Sequence, residues 1–440
     1  MFTSNTPENE KEMLSKIGVS SIKELFKSIP ENLLYPSFNL PAALTEDALH
    51  KHLHALAEKN KSYLNFIGAG CEEHFIPAAV NALSLRGEFL TAYTPYQAEA
   101  SQGTLQTIYE FQSSICALFN MDVCSASHYD GATALAEACL AAQRVSNKKK
   151  ILFSAGLHPH YKEVLHTYLK NVPEIVLQEV PLKDGLTDQN ALQTALAEDV
   201  ACVAVAGPNF LGQLEPMQAL CDATHQAGAL FIAVVNPLSL GVLQTPGEYG
   251  ADFAVAEGQS LGNAMHFGGP GLGIFTCKQA YVRQVPGRIV GIAKDKDGNR
   301  SFVLTLQARE QHIRRERAAS NICSNEALCA LNAVIYLTLL GPEGIKEVAS
   351  LNLSRAHEFK EMLVKNGHKI KFAGPFYNEF VVEVNTSAQE VIEKLETQGI
   401  AAGYDLGQVC ENLKNCLLVC VTETKSVEDL QKYAQALRGF

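Results

Sequence analysis

The chain has 440 residues, which is enough for two or three domains with substantial cores. Apolar residues make up 47% of the sequence and charged residues 19%, as in an ordinary globular protein. Acidic residues outnumber basic residues by 47 to 36, and the resulting formal charge of −11 argues against a nucleic-acid partner, which needs a concentrated basic face.

The first residues, MFTSNTPENEKEM, are too polar for a signal peptide, and the apolar run from Ala327 to Leu340 is too short to span a bilayer. We therefore expect a cytoplasmic protein without a membrane partner. The 12 cysteines form no C-x-x-C pair, so no metal site is predicted from them. His50, His52 and His54 lie close together without further ligands nearby, which favours a solvated helix over a metal site.

Residues 1–60 are charged and amphipathic, and we predict a helical arm with short helices between Lys11 and Phe26. From Leu105 onwards, apolar strands alternate with amphipathic helices, which predicts a mostly parallel sheet covered on both faces, in a large α/β domain over residues 61–325. The predicted helices are Leu105–Asn120, a helix capped by Asp130 or Thr133 that ends near Val145, Pro159–Leu169, Gln189–Ala197 and Pro216–Ala227. The predicted strands are Ile151–Ser154, Glu174–Val180, Ala201–Ala206, Leu230–Val235, Phe253–Ala256 and Leu272–Cys277.

The rest of the chain predicts a smaller C-terminal α+β domain over residues 326–440. A buried helix from Glu326 to Leu340 is expected to end at Gly341. The later elements are predicted as helices Ile345–Lys365, Ala388–Thr397 and Val427–Leu437, and strands Lys369–Phe372, Glu379–Val384 and Leu417–Thr422. Before this domain, the basic run from Arg309 to Arg317 is as consistent with a surface helix as with a functional interface.

Two loops have the composition of functional segments. The polar, glycine-rich loop within Asp252–Phe275 follows a predicted strand, where active sites of α/β proteins usually lie. The segment EFLTAYTPYQAEASQG has no regular periodicity and combines aromatic, amide and carboxylate side chains, which suits a binding surface. Between Lys183 and Lys278 the sequence has neither lysine nor arginine, so the second half of the sheet can form no Schiff base and no arginine clamp on a phosphate.

Several of these segments carry a family resemblance: FIGAGCEEHFIP, FLTAYTPYQAEASQGTLQTIYEFQ, SHYDGATALAEA, GPNFLGQLEP, EGQSLGN, FGGPGLG, REQHIRRE and FYNEFVV. Together they resemble glycine dehydrogenase (decarboxylating), the P-protein of the glycine cleavage system, and within it the N-terminal half, or subunit 1 of the two-subunit bacterial form. The resemblance covers nearly the whole chain. It implies the aspartate-aminotransferase-like fold of type I pyridoxal phosphate (PLP) enzymes.

The resemblance also implies which cofactor residues are replaced here. Counting back from the Gly-Gly-Pro-Gly turn at Gly268, Gln259 stands where the cofactor-carrying subunit of the family has its lysine. The strand before it should end in an aspartate that pairs with the pyridinium nitrogen, but here the chain reads Val234, Val235 and Asn236. Neither replacement can do the original chemistry. We therefore expect PLP in a partner subunit and no covalently bound PLP in this chain.

By the same resemblance, two copies of this chain and two of a PLP-bearing subunit 2 form a heterotetramer. The complex decarboxylates glycine and transfers the aminomethyl group to the lipoyl arm of the H protein. The residues expected to line the partner's site or the lipoyl channel are polar or aromatic side chains on predicted loops. They are Tyr93, Thr94, Tyr96, Gln97 and Glu99, with His74, Asn209, Asn378 and Glu379 as weaker candidates.

Three other interpretations remain open at this point. The chain could hold PLP on a displaced lysine such as Lys278, although Lys278 should lie at the far end of its strand. It could be a catalytically inert scaffold that stabilises a partner or docks the lipoyl protein. The FGGPGLG loop could bind a nucleotide phosphate, but it lacks the G-K-[ST] ending and Pro270 removes a backbone N–H donor.

Overall fold

The computed structural model describes residues 5–34, 39–91, 93–172, 174–196, 199–266 and 268–440. The chain falls into two units, one up to Ser62 and one from Tyr63 onwards. The domain boundaries predicted near residues 60 and 325 stay predictions. Ala197, where the sequence predicts the end of a helix, lies outside the described residues.

The first unit is helical and contains α1 (Pro7–Ile17), α2 (Ile22–Leu25) and α3 (Glu46–Ala57). Thr6 begins α1 with a reciprocal cap on Asn9, and Gly18, at φ 86°, ends it. None of these helices buries a side chain within the chain. The short helices predicted between Lys11 and Phe26 are thus confirmed.

The second unit is organised around a sheet of seven strands in the order β2-β10-β9-β8-β7-β3-β4. The strands β3, β4, β7, β8 and β9 run parallel, whereas β10 is antiparallel to both of its neighbours. The predicted mostly parallel sheet is therefore confirmed. Its strands are β2 (Val123–Cys124), β3 (Lys150–Ser154), β4 (Val176–Val180), β7 (Val200–Gly207), β8 (Leu230–Val235), β9 (Phe253–Glu257) and β10 (Gly273–Cys277).

Helices cover both faces of this sheet. The apolar side chains along each strand point alternately into the two cores that lie between the sheet and these helices. On β8, Phe231 packs into one core and Ile232 into the other, as a period of two requires. This is why the strands are apolar throughout. The helices of this part of the chain are α4 (Ala78–Ser84), α5 (Gly87–Leu90), α6 (Gln102–Phe119), α7 (Gly131–Ser146), α8 (Pro159–Leu169), α9 (Gln189–Ala195) and α10 (Met217–Gln226).

A second, antiparallel sheet lies in the C-terminal part of the chain, in the order β13-β14-β17-β16. Its strands are β13 (Lys369–Ile370), β14 (Glu379–Glu383), β16 (Tyr404–Asp405) and β17 (Cys416–Cys420), and its helices are α13 (Ala388–Glu396) and α14 (Val427–Ala436). Short strands β1 (Leu64–Asn65) and β15 (Ile400–Ala401) pair in parallel, and β5 (Leu182–Lys183) pairs with β6 (Leu186–Thr187). The predicted α+β character of this part is confirmed.

The helix α12 (Ala327–Lys365) combines the two helices predicted on either side of Gly341. Gly341 has φ 61° and ψ −175°, so the helical geometry breaks where the sequence predicts it, and a second helix follows at once. By length and composition alone, α12 could cross a membrane. Its side chains Ala333, Val334 and Tyr336 are instead buried in the core beside the sheet, and core helices of this kind pass the same test.

Residues 289–317 contain one element that the sequence analysis missed and one that it predicted differently. A hairpin of β11 (Ile289–Lys294) and β12 (Arg300–Thr305) was not predicted, although the Asp297-Gly298 pair between alternating residues is a hairpin signal. The basic run predicted as a possible surface helix forms only one α-turn, α11 (Gln311–Arg314), flanked by 3-10 turns. The positive φ of Arg315, 55°, ends that turn.

Asp252 connects the start of β9 to β8, to α10 and to the residue after β10, and its removal is expected to destabilise the fold. Its carboxylate is 3% exposed and accepts bonds from the Phe231 amide at 2.8 Å, His225 Nε2 at 2.7 Å and Lys278 Nζ at 2.8 Å. Asp252→Ala should lower the free energy of unfolding by about 3 kcal/mol, because it leaves a buried donor and a cation unpaired.

Urea unfolding followed by circular dichroism measures this effect. Glu174→Ala is the matched control, because Glu174 pairs with Lys149 at an exposed site and should change the midpoint little. A midpoint for Asp252→Ala that equals the control would contradict the prediction.

Candidate functional site

The carboxyl ends of the parallel strands β3, β7, β8 and β9 border a cavity at one edge of the sheet. This is the edge at which open α/β sheets place their ligand sites. Among the described residues that line the cavity there are three carboxylates and neither lysine nor arginine. The lining residues are Gly70, Glu72, His158, Tyr161, Ala206, Pro208, Asn209, Phe210, Val234, Val235, Asn236, Pro237, Glu257, Gln259, Ser260, Asn378 and Glu379.

Gln259 follows β9 and is 9% exposed. Its side chain forms a pair of hydrogen bonds with the main chain of Glu72: the Glu72 amide donates to Oε1 at 3.1 Å, and Nε2 donates to the Glu72 carbonyl at 3.1 Å. Nε2 also donates to the Asn263 carbonyl at 2.8 Å. Both polar atoms of the amide are thus engaged with the backbone. Gln259 therefore acts as a clamp on the loop that contains Glu72.

The Glu72 side chain, 6% exposed, lies at the centre of a hydrogen-bond network. Oε1 accepts from Asn236 Nδ2 at 3.1 Å, and Oε2 accepts from Asn378 Nδ2 at 2.8 Å. His74 bridges two carboxylates, with Nε2 3.1 Å from Glu72 Oε2 and Nδ1 2.9 Å from Glu423 Oε2. Gln259, at the expected lysine position, and Asn236, in the segment where the aspartate is expected, therefore both bind Glu72.

The backbone of the same loop is held from two further sides. His158 Nε2 lies 2.8 Å from the Ala69 carbonyl, and the Ala69 amide donates to Glu379 Oε1 at 2.8 Å. Gly68, Ala69 and Gly70 all have positive φ, between 54° and 89°. At Gly68 a side chain would also collide with Cys420, 2.3 Å from an added Cβ. We refer to residues 68–73 as the inserted loop.

Burial and charge change the protonation of three groups around the inserted loop. Burial, helped by the Glu72 charge, raises the pKa of Glu379 to about 8, so Glu379 is mostly protonated at pH 7. Burial opposes the charge of His74, but its bonds to Glu423 and Glu72 outweigh that and raise its pKa to about 9. Burial lowers the pKa of His158 to about 4, so its ring is neutral and Nε2 can donate to Ala69.

Ligand atoms of Glu72, Glu379 and Cys420 lie within 4.8 Å of one another, a distance that a cation could bridge. Both oxygens of Glu72 already accept bonds from amide or histidine groups, and burial holds Glu379 mostly protonated. We assign no metal to this group.

The helix α7 begins beside the cavity, and its N-terminal amides already bind carboxylates. Asp130 caps the helix, accepting from the Thr133 amide at 2.7 Å. Glu257 Oε2 accepts from the Gly131 amide at 3.0 Å, and its Oε1 accepts from the amides of Gln259 and Leu272. A helix N-terminus is a common phosphate site, but here two carboxylates of the chain occupy that role.

The loop of residues 93–99, which was predicted as a binding surface and is called the aromatic loop below, lies elsewhere. Tyr93 is 86% and Tyr96 is 52% exposed, and Arg288 Nη2 donates to the Tyr96 hydroxyl at 3.3 Å. The Arg288 guanidinium also lies over the Tyr96 ring at 5.4 Å. None of Tyr93, Thr94, Tyr96, Gln97 and Glu99 lines the cavity at the sheet edge. Their expected role toward a partner's site stays a prediction.

The weaker candidates, by contrast, gather at the cavity. Asn378 and Glu379 line it, and His74 binds Glu72 beside it. Asn209 lines it too, but its side-chain amide is already hydrogen-bonded to the backbone of its own turn, to the Gly185 carbonyl and to Glu215. Glu72 and Glu257 were missed as site residues, although both stand within motifs that carried the family resemblance, among apolar neighbours where a carboxylate needs partners.

The fold and this site define a class of protein, the type I fold of PLP-dependent enzymes. A solved structure of C-DES with glycine covalently linked to its PLP cofactor shares the fold, with a TM-score of 0.62 at 16% identity over 88% of this chain and 98% of that one. A solved glycine decarboxylase (P-protein) of the glycine cleavage system, in inhibitor-bound form, is much more similar. Its TM-score is 0.92 at 43% identity, over 100% of this chain and 99% of that one.

The profile of the glycine cleavage system P-protein family matches residues 2–437. A protein from Moorella thermoacetica described as probable glycine dehydrogenase (decarboxylating) subunit 1 is 51% identical over 441 aligned positions, covering 100% of this chain and 99% of that protein. The corresponding protein of Anoxybacillus flavithermus is 48% identical, covering 99% and 98%. The chain therefore belongs to the glycine cleavage system P-protein family and is an enzyme component of that system.

The residues around the cavity do not fit the PLP that this fold implies. An amide stands at the expected lysine position, no aspartate stands among Val234, Val235 and Asn236, and the α7 N-terminus carries Asp130 and Glu257 where an anionic phosphate would need free donors. The inserted loop also lies between the two replaced positions. We derive no chemical step through PLP on this chain.

The charge on His74 makes stability depend on pH. Its pKa of about 9 lies above the ordinary value of 6.5, so its contribution is fully present below pH 6.5 and is lost as the pH rises through 9. A shift of that size corresponds to about 3 kcal/mol. We expect wild-type stability to fall relative to His74→Gln between pH 6.5 and 9.

The measurement is urea unfolding of both proteins at intervals of pH. Glu379, with its raised pKa, changes stability in the same direction but is present in both proteins, so it cancels in the comparison. His160→Gln, at an exposed position, is the control. Parallel pH profiles for wild type and His74→Gln would contradict the charged state of His74.

Proposed function

We propose that this chain is the PLP-free subunit of a two-subunit glycine decarboxylase and that a partner chain supplies the PLP. The observation that carries the proposal is the clamp formed by Gln259, whose amide is fully engaged with the main chain at the cavity. A partner that holds PLP would decarboxylate glycine and pass the aminomethyl group to the lipoyl arm of the H protein. We further propose a heterotetramer with two copies of each subunit, in the cytoplasm.

The displaced-lysine alternative has little support. Lys278 follows β10, which is antiparallel to β9, so it lies at the edge of the sheet opposite the cavity. Its ammonium is bound to Asp252 Oδ1 at 2.8 Å. A lysine held in an ion pair on the wrong edge of the sheet is a poor nucleophile for a ligand in the cavity.

Exposed apolar side chains support the role of a partner. In the segment between the inserted loop and α6, several large side chains are exposed within the single chain. They are Phe75 (68%), Leu85 (61%), Leu90 (49%), Tyr93 (86%) and Tyr96 (52%). Aromatic and aliphatic groups exposed in this way are typical of an interface that another chain covers. This segment also contains the most distinctive motif of the family resemblance.

The chain's own contribution to the reaction would be to position groups at the partner's site. Arg288, 3% exposed, holds the Tyr96 ring and hydroxyl and also donates to the Cys323 carbonyl at 2.6 Å. The aromatic loop is thus fixed by a buried cation while its outer side chains remain free. We propose that Tyr93, Thr94, Tyr96, Gln97 and Glu99 face the partner's glycine site or the path of the lipoyl arm.

The first test is reconstitution. The chain alone, the partner alone and their mixture are incubated with PLP, and the absorbance of lysine-bound PLP and its borohydride-stable adduct are measured. We expect adduct on the partner only, and glycine–bicarbonate exchange only in the mixture. Adduct on a lysine of this chain in the wild-type protein would overturn the proposal.

The second test concerns the aromatic loop. Tyr96→Phe and Glu99→Gln should each lower glycine–bicarbonate exchange by roughly tenfold or more, because a hydrogen bond to a charged group contributes about 1.5–3 kcal/mol. Glu110→Gln, on the exposed face of α6, is the matched control. Full activity in both loop variants, with normal assembly in gel filtration, would favour a scaffold that only stabilises its partner.

A further inference from the structure

The inserted loop forms part of the cavity wall, through Gly70 and Glu72, and is bound from four sides. Gln259 clamps the main chain of Glu72, Asn236 and Asn378 bind its carboxylate, and His158 and Glu379 bind Ala69. These bonds join the loop to the ends of β8 and β9, to the start of α8 and to β14. A loop held in this way behaves as part of the core and not as a lid.

The side chains that hold the loop are those that a cofactor would otherwise need. Position 259 is the expected lysine position, and position 236 is one of the three, 234 to 236, among which the aspartate is expected. Both are amides here, and amides donate and accept neutral hydrogen bonds, which suits a peptide group and a carboxylate. The two substitutions are therefore not only losses: together they form a binding site for Glu72.

The charge of the cavity acts in the same direction. Glu72 and Glu257 line it without a lysine or arginine among its described lining residues, and the part-buried Glu257 carboxylate accepts from three backbone donors. A phosphate ester carries nearly two negative charges at neutral pH. It would have to displace Glu257 from the Gly131 amide and remain beside carboxylates.

We propose that the inserted loop is a fixed wall of the cavity, which excludes PLP even when a lysine is introduced at position 259. The inference rests on the proposed function, because it explains how the PLP-free subunit stays free of the cofactor. It adds that the exclusion is built by Glu72 and Glu257 and does not follow from the missing lysine alone.

The test compares three variants of the full chain, each incubated with PLP and reduced with borohydride. The first is Gln259→Lys alone, which leaves the bonds of Asn236 and Asn378 to the Glu72 carboxylate in place. The second adds Glu72→Ala and Glu257→Gln. The third, the matched control, adds Glu73→Ala instead; Glu73 neighbours Glu72, but its carboxylate pairs with Lys425 Nζ at 2.7 Å. Adduct at position 259 is measured by mass spectrometry.

We expect the second variant to form roughly tenfold more adduct at position 259 than the first and the third. Equal labelling of the first and second variants, whether high or low, overturns the proposal. Wild-type protein is labelled in parallel. Adduct on the wild-type protein would overturn the proposed function. Adduct on the first variant at the level of the second, without adduct on wild type, would overturn only the exclusion by the loop.

Hydrogen exchange on the wild-type chain, alone and with its partner, gives a result that does not depend on whether a variant folds. The amides of Glu72 and Ala69 donate to Gln259 and Glu379, so they should exchange as slowly as the strands of the sheet, and added PLP should not change this. Rapid exchange of these two amides, or a change on adding PLP, would show that the loop leaves the cavity and would overturn the proposal.

Discussion

The pair of hydrogen bonds between the Gln259 side chain and the main chain of Glu72 determines how this edge of the sheet is arranged. A glutamine amide matches a peptide group in shape and polarity, since each offers one donor and one acceptor side by side. Once Glu72 is held, its carboxylate meets Asn236 and Asn378, and His74 is placed between Glu72 and Glu423. One amide therefore orders residues that lie far apart in the sequence.

The buried carboxylates are tolerated because each has partners or a proton. Glu257 accepts three backbone amides, Glu72 accepts two side-chain amides and a histidine, and burial beside Glu72 raises the pKa of Glu379. A buried charge without such partners would cost several kcal/mol. The arrangement favours one positive histidine and disfavours a further anion. The same residues that stabilise the loop thus determine which ligands the cavity rejects.

Much of the fold could be predicted from the sequence, because buried parallel strands and amphipathic helices leave strong patterns. The strand Leu230–Val235 and the helix Pro159–Leu169 have the predicted bounds. The hairpin from Ile289 to Thr305 was missed, since its strands are only partly buried and a strongly charged turn joins them. Family resemblance identified position 259 and the segment from Val234 to Asn236, but it gave no partners for these residues.

Several residues of the site were predicted, but the contacts between them could not be, because they join segments that are distant in the sequence. Gln259 and Glu72 are separated by 187 positions, and Asn378 and Glu72 by 306. No local pattern reports such a contact. A carboxylate among apolar residues in FIGAGCEEHFIP was the available signal, since a buried charge needs partners that sequence alone does not name.

The stretch without lysine or arginine also determines how the protein is cut for chemical mapping. Trypsin cleaves after Lys183 and next after Lys278, so Asn236, Glu257 and Gln259 leave the wild-type protein in one long peptide. A lysine introduced at position 259 divides that peptide in two. The division fails when the new side chain carries a reduced adduct, because trypsin does not cleave after a modified lysine. The digest pattern is therefore itself a record of whether the position has reacted.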